Sequence, residues 1–144
     1  MSETATSEAP MKPLPRPNEE TRAFWEACDR GELLFQECAA CGHRQFYPRR
    51  LCQACHAADP AWKQASGRGR VYTFTVVNRA PLPAFKADSP YVLALIDLEE
   101  GPRMMMNVIN CDPDAVHIDM PVRVTFERRG AGDQAQAIPQ AEPA

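Results

Sequence analysis

Cys38-Ala39-Ala40-Cys41-Gly42-His43-Arg44-Gln45-Phe46-Tyr47-Pro48-Arg49-Arg50-Leu51-Cys52-Gln53-Ala54-Cys55 carries the pattern Cys-x2-Cys-x10-Cys-x2-Cys. Each close pair can wrap its main chain around one side of a metal ion. Two such pairs supply a closed tetrahedral shell of four sulfurs, the usual structural zinc site. An ion with four protein ligands has no vacant position for water or substrate. The motif therefore speaks for folding around Zn2+ and against a hydrolytic centre. Two other chemistries use the same residues. A pair of disulfides would need an oxidising compartment, and a rubredoxin-like iron site shares the S4 geometry. His43 and His56 lie just beyond the knuckles and read as exposed polar side chains, because four thiolates already complete the shell.

Outward from the cysteines, Leu33 to Glu37 predicts a strand entering the first knuckle. His43 to Tyr47 predicts a strand leaving it, ended by Pro48. With the second knuckle at Cys52 to Cys55, this is a zinc ribbon. Upstream, Asn18 reads as an N-cap with Glu19 and Glu20 in the first turn. Phe24, Trp25, Ala27 and Cys28 make an apolar stripe, and Gly31 fits a helical stop. A short helix is expected over about 18–30. Residues 1–17 hold Pro10, Pro13, Pro15 and Pro17 among Ser, Thr and Glu, and predict a disordered arm.

Past Trp62 the pattern turns to β. Gly67-Arg68-Gly69 offers a turn or bulge. Strands are expected over Val71–Asn78, Tyr91–Glu99, Arg103–Asn110 and Val122–Arg128, with a proline-punctuated loop over 80–90 and a helical turn over 112–117. Val92, Ala94, Ile96 and Leu98 form one apolar face. Tyr91, Leu93 and Leu95 load the other, so the helix, the ribbon or another chain must cover it. The expected fold is mainly β with a short N-terminal helix: a rubredoxin-like zinc ribbon over 18–63, an OB-fold β-barrel over 64–129, and a flexible tail over 130–144.

The formal net charge is −3 and the pI about 5.6. This is a poor footing for nucleic-acid binding, which depends on neutralising phosphates. No apolar run approaches the ~20 residues of a membrane helix, and the opening residues lack a basic segment followed by an apolar one. A cytoplasmic location is expected. No Ser/His/Asp ordering or Gly-rich phosphate loop stands out, and the chain reads as non-catalytic. His117 and Cys111 lack the company a catalytic residue needs. Cys28 and Cys111 fall outside the quartet and read as core or surface thiols.

Several separate segments resemble one family. They are the helix ending near Gly31, the ribbon Cys38-Ala39-Ala40-Cys41-Gly42 with Tyr47-Pro48-Arg49 and Cys52-Gln53-Ala54-Cys55, and Gly67-Arg68-Gly69-Arg70-Val71-Tyr72-Thr73-Phe74-Thr75. Tyr91 to Leu98, Glu100-Gly101-Pro102-Arg103 and Asp119 to Val124 complete the match over roughly 18–129. These resemble the zinc-ribbon plus OB-fold proteins associated with acyl-CoA enzymes, known as domain of unknown function thirty-five. The family often ends in a Leu-Pro-x-Phe-like tail, of which Ile138-Pro139-Gln140-Ala141 keeps only part.

The resemblance implies an accessory subunit of a heteromeric thiolase-superfamily enzyme that cleaves or forms C–C bonds by thiolysis, retro-aldol chemistry or condensation. Such a subunit stabilises its partner and shapes the CoA and acyl channel. An α2β2 hetero-oligomer is the expected assembly, with an acyl-CoA thioester bound jointly. Arg79 and Lys86 are then candidates to hold CoA phosphates by charge-assisted hydrogen bonds, and Phe85 to line the pantetheine or acyl path. The alternative is a single-stranded nucleic-acid binder, as zinc ribbons and OB barrels are elsewhere, with Tyr72 and Phe74 as stacking platforms.

Overall fold

A computed structural model describes residues 11–144. Most of the arm expected over 1–17 lies outside the described residues. The part that is described is held in place. Lys12 Nζ stands 2.6 Å from Asp88 and 3.5 Å from Glu127, and Arg129 Nη1 donates to Pro13 O at 3.4 Å.

The expected fold class is the one observed. One short helix precedes a three-stranded sheet and a closed five-stranded barrel. Asn18 caps the turn that leads into the helix, its Oδ1 accepting from Glu20 N and Thr21 N at 3.0 Å each, while Thr21 holds the N-cap position and Glu19 and Glu20 fall ahead of the first helical turn. The regular helix α1 then runs Arg22–Asp29, and Phe24, Ala27 and Cys28 are its buried stripe. Gly31, at φ +76, ends it in a left-handed turn. There Gly31 N donates to Cys28 O and Glu32 N to Ala27 O, both at 2.9 Å, the paired bonds of a Schellman stop.

The ribbon sheet has the order β2-β1-β3. β1 is Leu34–Glu37 and β2 only Arg44–Gln45, the chain turning away at half-buried Phe46 ahead of the buried Pro48. β3, Ala61–Gln64, pairs antiparallel with the whole of β1. Sequence reading missed this strand, since Trp62 is its one large apolar residue.

The barrel runs in the order β4-β5-β6-β8-β7 and closes on itself. β4 (Arg68–Val77) pairs with β5 (Tyr91–Leu98) along most of its length, and with β7 (Pro121–Arg129) through Arg68–Arg70. One strand thus serves two neighbours. The bend falls at Tyr72, where the register shifts between Val71 and Thr73, not at the glycines. Gly69 matters for another reason. A Cβ there would meet Asp97 O at 2.6 Å and Ile96 Cγ2 at 2.9 Å, so the backbone crossing at closure needs a residue without a side chain. β5 and β6 (Arg103–Val108) form the expected hairpin. Val71, Val92, Ile96 and Val122 are the barrel's most deeply buried large side chains, each contributing roughly 1.5–3 kcal/mol by burial.

The tail expected over 130–144 is instead a barrel stave. β8, Gln136–Pro143, pairs antiparallel with β7 over eight positions and touches β6 in parallel at Val108↔Ala141. Its prolines cost the ladder nothing. Ala137 N donates to Asp29, and Ala141 O accepts from Ile109. The odd-numbered residues therefore turn their main-chain groups away from β7, and Pro139 and Pro143 belong to that set. Small Ala137 and Ala141, 4% and 0% exposed, let α1 and the barrel interior approach.

α1 joins the two parts. Gln136 Nε2 donates to Trp25 O at 3.1 Å, and Asp29 Oδ1 accepts from Ala137 N at 3.0 Å. On the other side Arg44 Nη1 donates to Glu100 O at 2.9 Å, tying the ribbon to the β5–β6 turn. Among the described residues no helix is long and apolar enough to cross a membrane.

Candidate functional site

Two opposed turns build the metal centre. In the first, Gly42 N donates to Cys38 O and Cys38 N to His43 O; in the second, His56 N donates to Cys52 O and Cys52 N to Ala57 O. Gly42 and His56 take positive φ, 76 and 65, to complete these turns. The turns aim four Sγ atoms at one point, all within 4.8 Å of each other. Across the knuckles Cys38 and Cys55 stand 3.5 Å apart, and Cys41 and Cys52 3.6 Å. A tetrahedron of ~2.3 Å Zn–S bonds has edges near ~3.8 Å, so the cage fits the ion, whereas a disulfide needs ~2.05 Å. Cys38 and Cys52 are buried and Cys41 and Cys55 exposed.

The electrostatics ask for a cation. The Cys55 main-chain N–H, helped by that of Ala54, draws Cys52 down to about 6 against the opposing effect of burial. The Cys41 main-chain N–H likewise lowers Cys38. On Cys41 the His43 N–H pulls downward, but burial and the three neighbouring thiols push it up to about 12. Sulfurs that favour the anion thus sit against sulfurs that cannot all carry one. A divalent ion resolves this conflict by holding every thiolate. All four ligands come from the chain, so the centre can crosslink the fold but offers no open coordination position. His43 and His56 are exposed and outside the cage.

The other cysteines are apart from it. Cys28 is buried in the α1 stripe and its thiol is pushed up to about 12, chiefly by burial. Cys111 is half-buried and also raised, by burial and then Asp112. It lines a cavity of about 320 Å³ with Phe85, Asn107, Glu127, Arg129 and Gln140.

The structure divides the three residues suggested for CoA. Pro83–Asp88 forms a 3-10 turn within the β4–β5 loop. Arg79 and Lys86 are exposed and line one open hollow of about 650 Å³ with Leu82 and Pro83. Neither makes an ion pair among the described residues. Phe85 turns instead into the Cys111 cavity. Lys12 Nζ lies 5.7 Å from its ring centre and the Arg129 guanidinium 5.6 Å, so it anchors the loop by cation–π contacts. Lys12 gave no signal in the sequence, since its partners lie far along the chain.

Among the described residues nothing covers the second face of β5. Leu93 and Leu95 are half-buried and border a hollow of about 240 Å³ with Thr73, Thr75 and Met105. Met105 is 65% exposed, and Tyr72 beside this face 49%. α1 and the ribbon pack elsewhere, so neither covers it. Tyr72 and Phe74 do not make a pair of stacking platforms. Phe74 packs against the core, and the Arg103 guanidinium, held by Asp97, lies 3.4 Å from the Tyr72 ring centre.

Family models match in two adjoining stretches. The rubredoxin-like zinc ribbon domain of ChsH2 matches residues 25–61, and the C-terminal OB-fold domain of ChsH2 matches residues 62–127. A DUF35 domain-containing scaffold protein of Methanocaldococcus jannaschii is 35% identical over 82% of this chain and 84% of its own length. A probable enoyl-CoA hydratase alpha subunit of Thermomonospora curvata is 37% identical over 78% of this chain, but the match spans only 34% of that longer protein. Among solved structures, a chain of an Ltp2-ChsH2(DUF35) aldolase superposes with a TM-score of 0.78 at 33% identity, covering 90% of this chain and 98% of its own.

Proposed function

The chain belongs to the DUF35 family, in which a ChsH2-type rubredoxin-like zinc ribbon precedes a ChsH2-type OB-fold domain, and on that premise we propose that it is the accessory subunit of a heteromeric enzyme acting on acyl-CoA thioesters. The relatives support this reading through the company they keep: one is the alpha subunit of a hydratase, another is paired with Ltp2 in an aldolase. The observation that carries it is the apolar face of Leu93 and Leu95 on β5 and Met105 on β6, left open by the described residues, beside the β4–β5 loop that presents Arg79 and Lys86. A partner seated on this face would lie against the loop.

The proposed partner is a thiolase-superfamily chain that supplies the nucleophile and oxyanion donors in a cytoplasmic α2β2 assembly. This chain supplies a wall. Arg79 and Lys86, exposed and without a carboxylate partner among the described residues, are suited to CoA phosphates. Phe85 fixes their loop from beneath. The zinc ribbon crosslinks the scaffold and takes no chemical step.

Co-expression of this chain with the proteins encoded beside its gene tests the proposal. The expected outcome is a stable complex with turnover of acyl-CoA, in which Lys86→Glu raises KM for the CoA thioester several-fold and leaves zinc content unchanged. Incubation of the chain alone with acyl-CoA thioesters should give no turnover. Activity of the chain alone, or a neighbour that is fully active and never co-elutes with it, overturns the reading.

A further inference from the structure

The second knuckle, residues 49–58, lies outside the ribbon sheet. Its main chain bonds mostly to itself, through Cys52 N to Ala57 O, His56 N to Cys52 O and the lone bridge Leu51↔Ala58. The first knuckle, by contrast, is carried between β1 and β2. Gln36 on β1 and Gln45 on β2 stand opposite each other in register and are 4% and 3% exposed. Two buried amides are costly unless bonded, and these are fully used. Gln36 Oε1 accepts from Arg49 N and its Nε2 donates to Arg49 O, both at 2.9 Å. Gln45 Oε1 accepts from Gln53 N at 2.9 Å, and its Nε2 donates to Gln36 Oε1 at 2.9 Å and Leu51 O at 3.3 Å. Leaving the sulfurs aside, every hydrogen bond among the described residues between the second knuckle and the β1–β2 hairpin passes through these two side chains. The exposed ion pairs of Arg49 and Arg50 go to Glu20 and Glu19, ahead of α1.

We propose that Gln36 and Gln45 are positioning residues of the metal centre: a two-amide latch that holds Cys52 and Cys55 facing Cys38 and Cys41 and sets how slowly the ion leaves. Gln53 sits between the two cysteines of its knuckle, so the grip of Gln45 on Gln53 N fixes the turn from which both sulfurs project. Gln36 holds the approach to that turn at Arg49. The latch touches no ligand atom. It acts on the geometry of the cage, as outer-shell partners do at other metal sites, where their loss costs about 10–100-fold in metal affinity.

Zinc transfer from the full chain to a chromophoric chelator tests this. Gln45→Met keeps the side-chain volume and removes the half of the latch that holds Gln53 N and Leu51 O. It should speed zinc release about tenfold or more and strip hydrogen-exchange protection from the Gln53 amide, while the denaturant midpoint of the barrel stays put. Gln140→Met is the control, because it removes a buried barrel amide of the same kind; it should weaken the barrel and leave zinc release at the wild-type rate. Release from Gln45→Met at the wild-type rate, or an equal acceleration by Gln140→Met, overturns the proposal. Should Gln45→Met not fold, Gln36→Glu, which keeps the acceptor for Arg49 N and loses the donor to Arg49 O, is measured in the same way. A wild-type release rate there is equally fatal.

Discussion

Cys28 and the quartet show how little residue type says about thiol chemistry. All are cysteines in one small domain, yet Cys52 is drawn down to about 6 by main-chain N–H groups, while Cys28 is pushed up to about 12 by burial. The thiolate is the reactive species, so these environments should be readable by alkylation. In the zinc-loaded chain at pH 8, iodoacetamide should reach Cys111 first and spare the rest. Removal of the ion with a chelator should add Cys38, Cys41, Cys52 and Cys55 to the modified set. Cys28 should stay unmodified until α1 leaves the barrel. Mass mapping of the adducts checks the sequence of events. Modification of Cys28 together with the quartet would contradict both its burial and the isolation of the cage. At this scale the cage was fully legible, because its spacing is a property of the chain. Gln36 and Gln45 were not: nothing distinguishes a buried amide from an exposed one until its partners, distant in sequence, are known.

β8 is the element on which the barrel depends and the one hardest to foresee. Its Ala, Gln and Pro content looks like a tail, but the prolines fall where no β7 bond is lost and the alanines where the wall must be thin. β5 and β6, with long apolar runs either side of the Gly101-Pro102 turn, were plain by comparison. A carboxylate on β7 helps hold β8. Glu127 Oε2 accepts from Gln140 Nε2 at 2.9 Å and Arg129 Nη2 at 3.2 Å, and Oε1 faces Lys12. Burial works to raise Glu127, but Gln140, Arg129 and Lys12 together outweigh it and hold the carboxyl below its ordinary value. A carboxyl depressed in the folded chain adds stability above the unfolded pKa of about 4.3, and that stability drains as pH falls through the folded value. Barrel stability should therefore fall between about pH 5 and pH 3. Glu127→Gln should start lower and show a shallower fall over the same window. Denaturant midpoints measured across it decide the point, and parallel curves for the two chains would remove Glu127 from the account. Glu142 and Glu100 are also lowered and leave a residual slope in the variant.

For the whole molecule the decisive asymmetry is between a satisfied interior and one unsatisfied exterior face. α1 is spent on joining β1 to β8, and the ribbon on meeting the β5–β6 turn. Among the described residues nothing is left over to cover Leu93, Leu95 and Met105. A side chain 65% exposed on a barrel wall contributes little to folding, so replacing it should leave stability within about 0.5 kcal/mol. Against a partner the same position would be central, and a carboxylate there would be desolvated without a counter-charge. Met105→Asp should therefore keep the wild-type denaturant midpoint and zinc content, yet weaken binding to the proposed partner by at least about tenfold in Kd. Ile118→Asp, the same apolar-to-carboxylate change at an exposed residue outside β5 and β6, should leave the complex intact. Size-exclusion profiles of the co-expressed pairs separate the two outcomes. If Met105→Asp assembles as well as wild type while Ile118→Asp does not, the partner docks on another side of the barrel, and the loop bearing Arg79 and Lys86 loses its claim to line a shared channel.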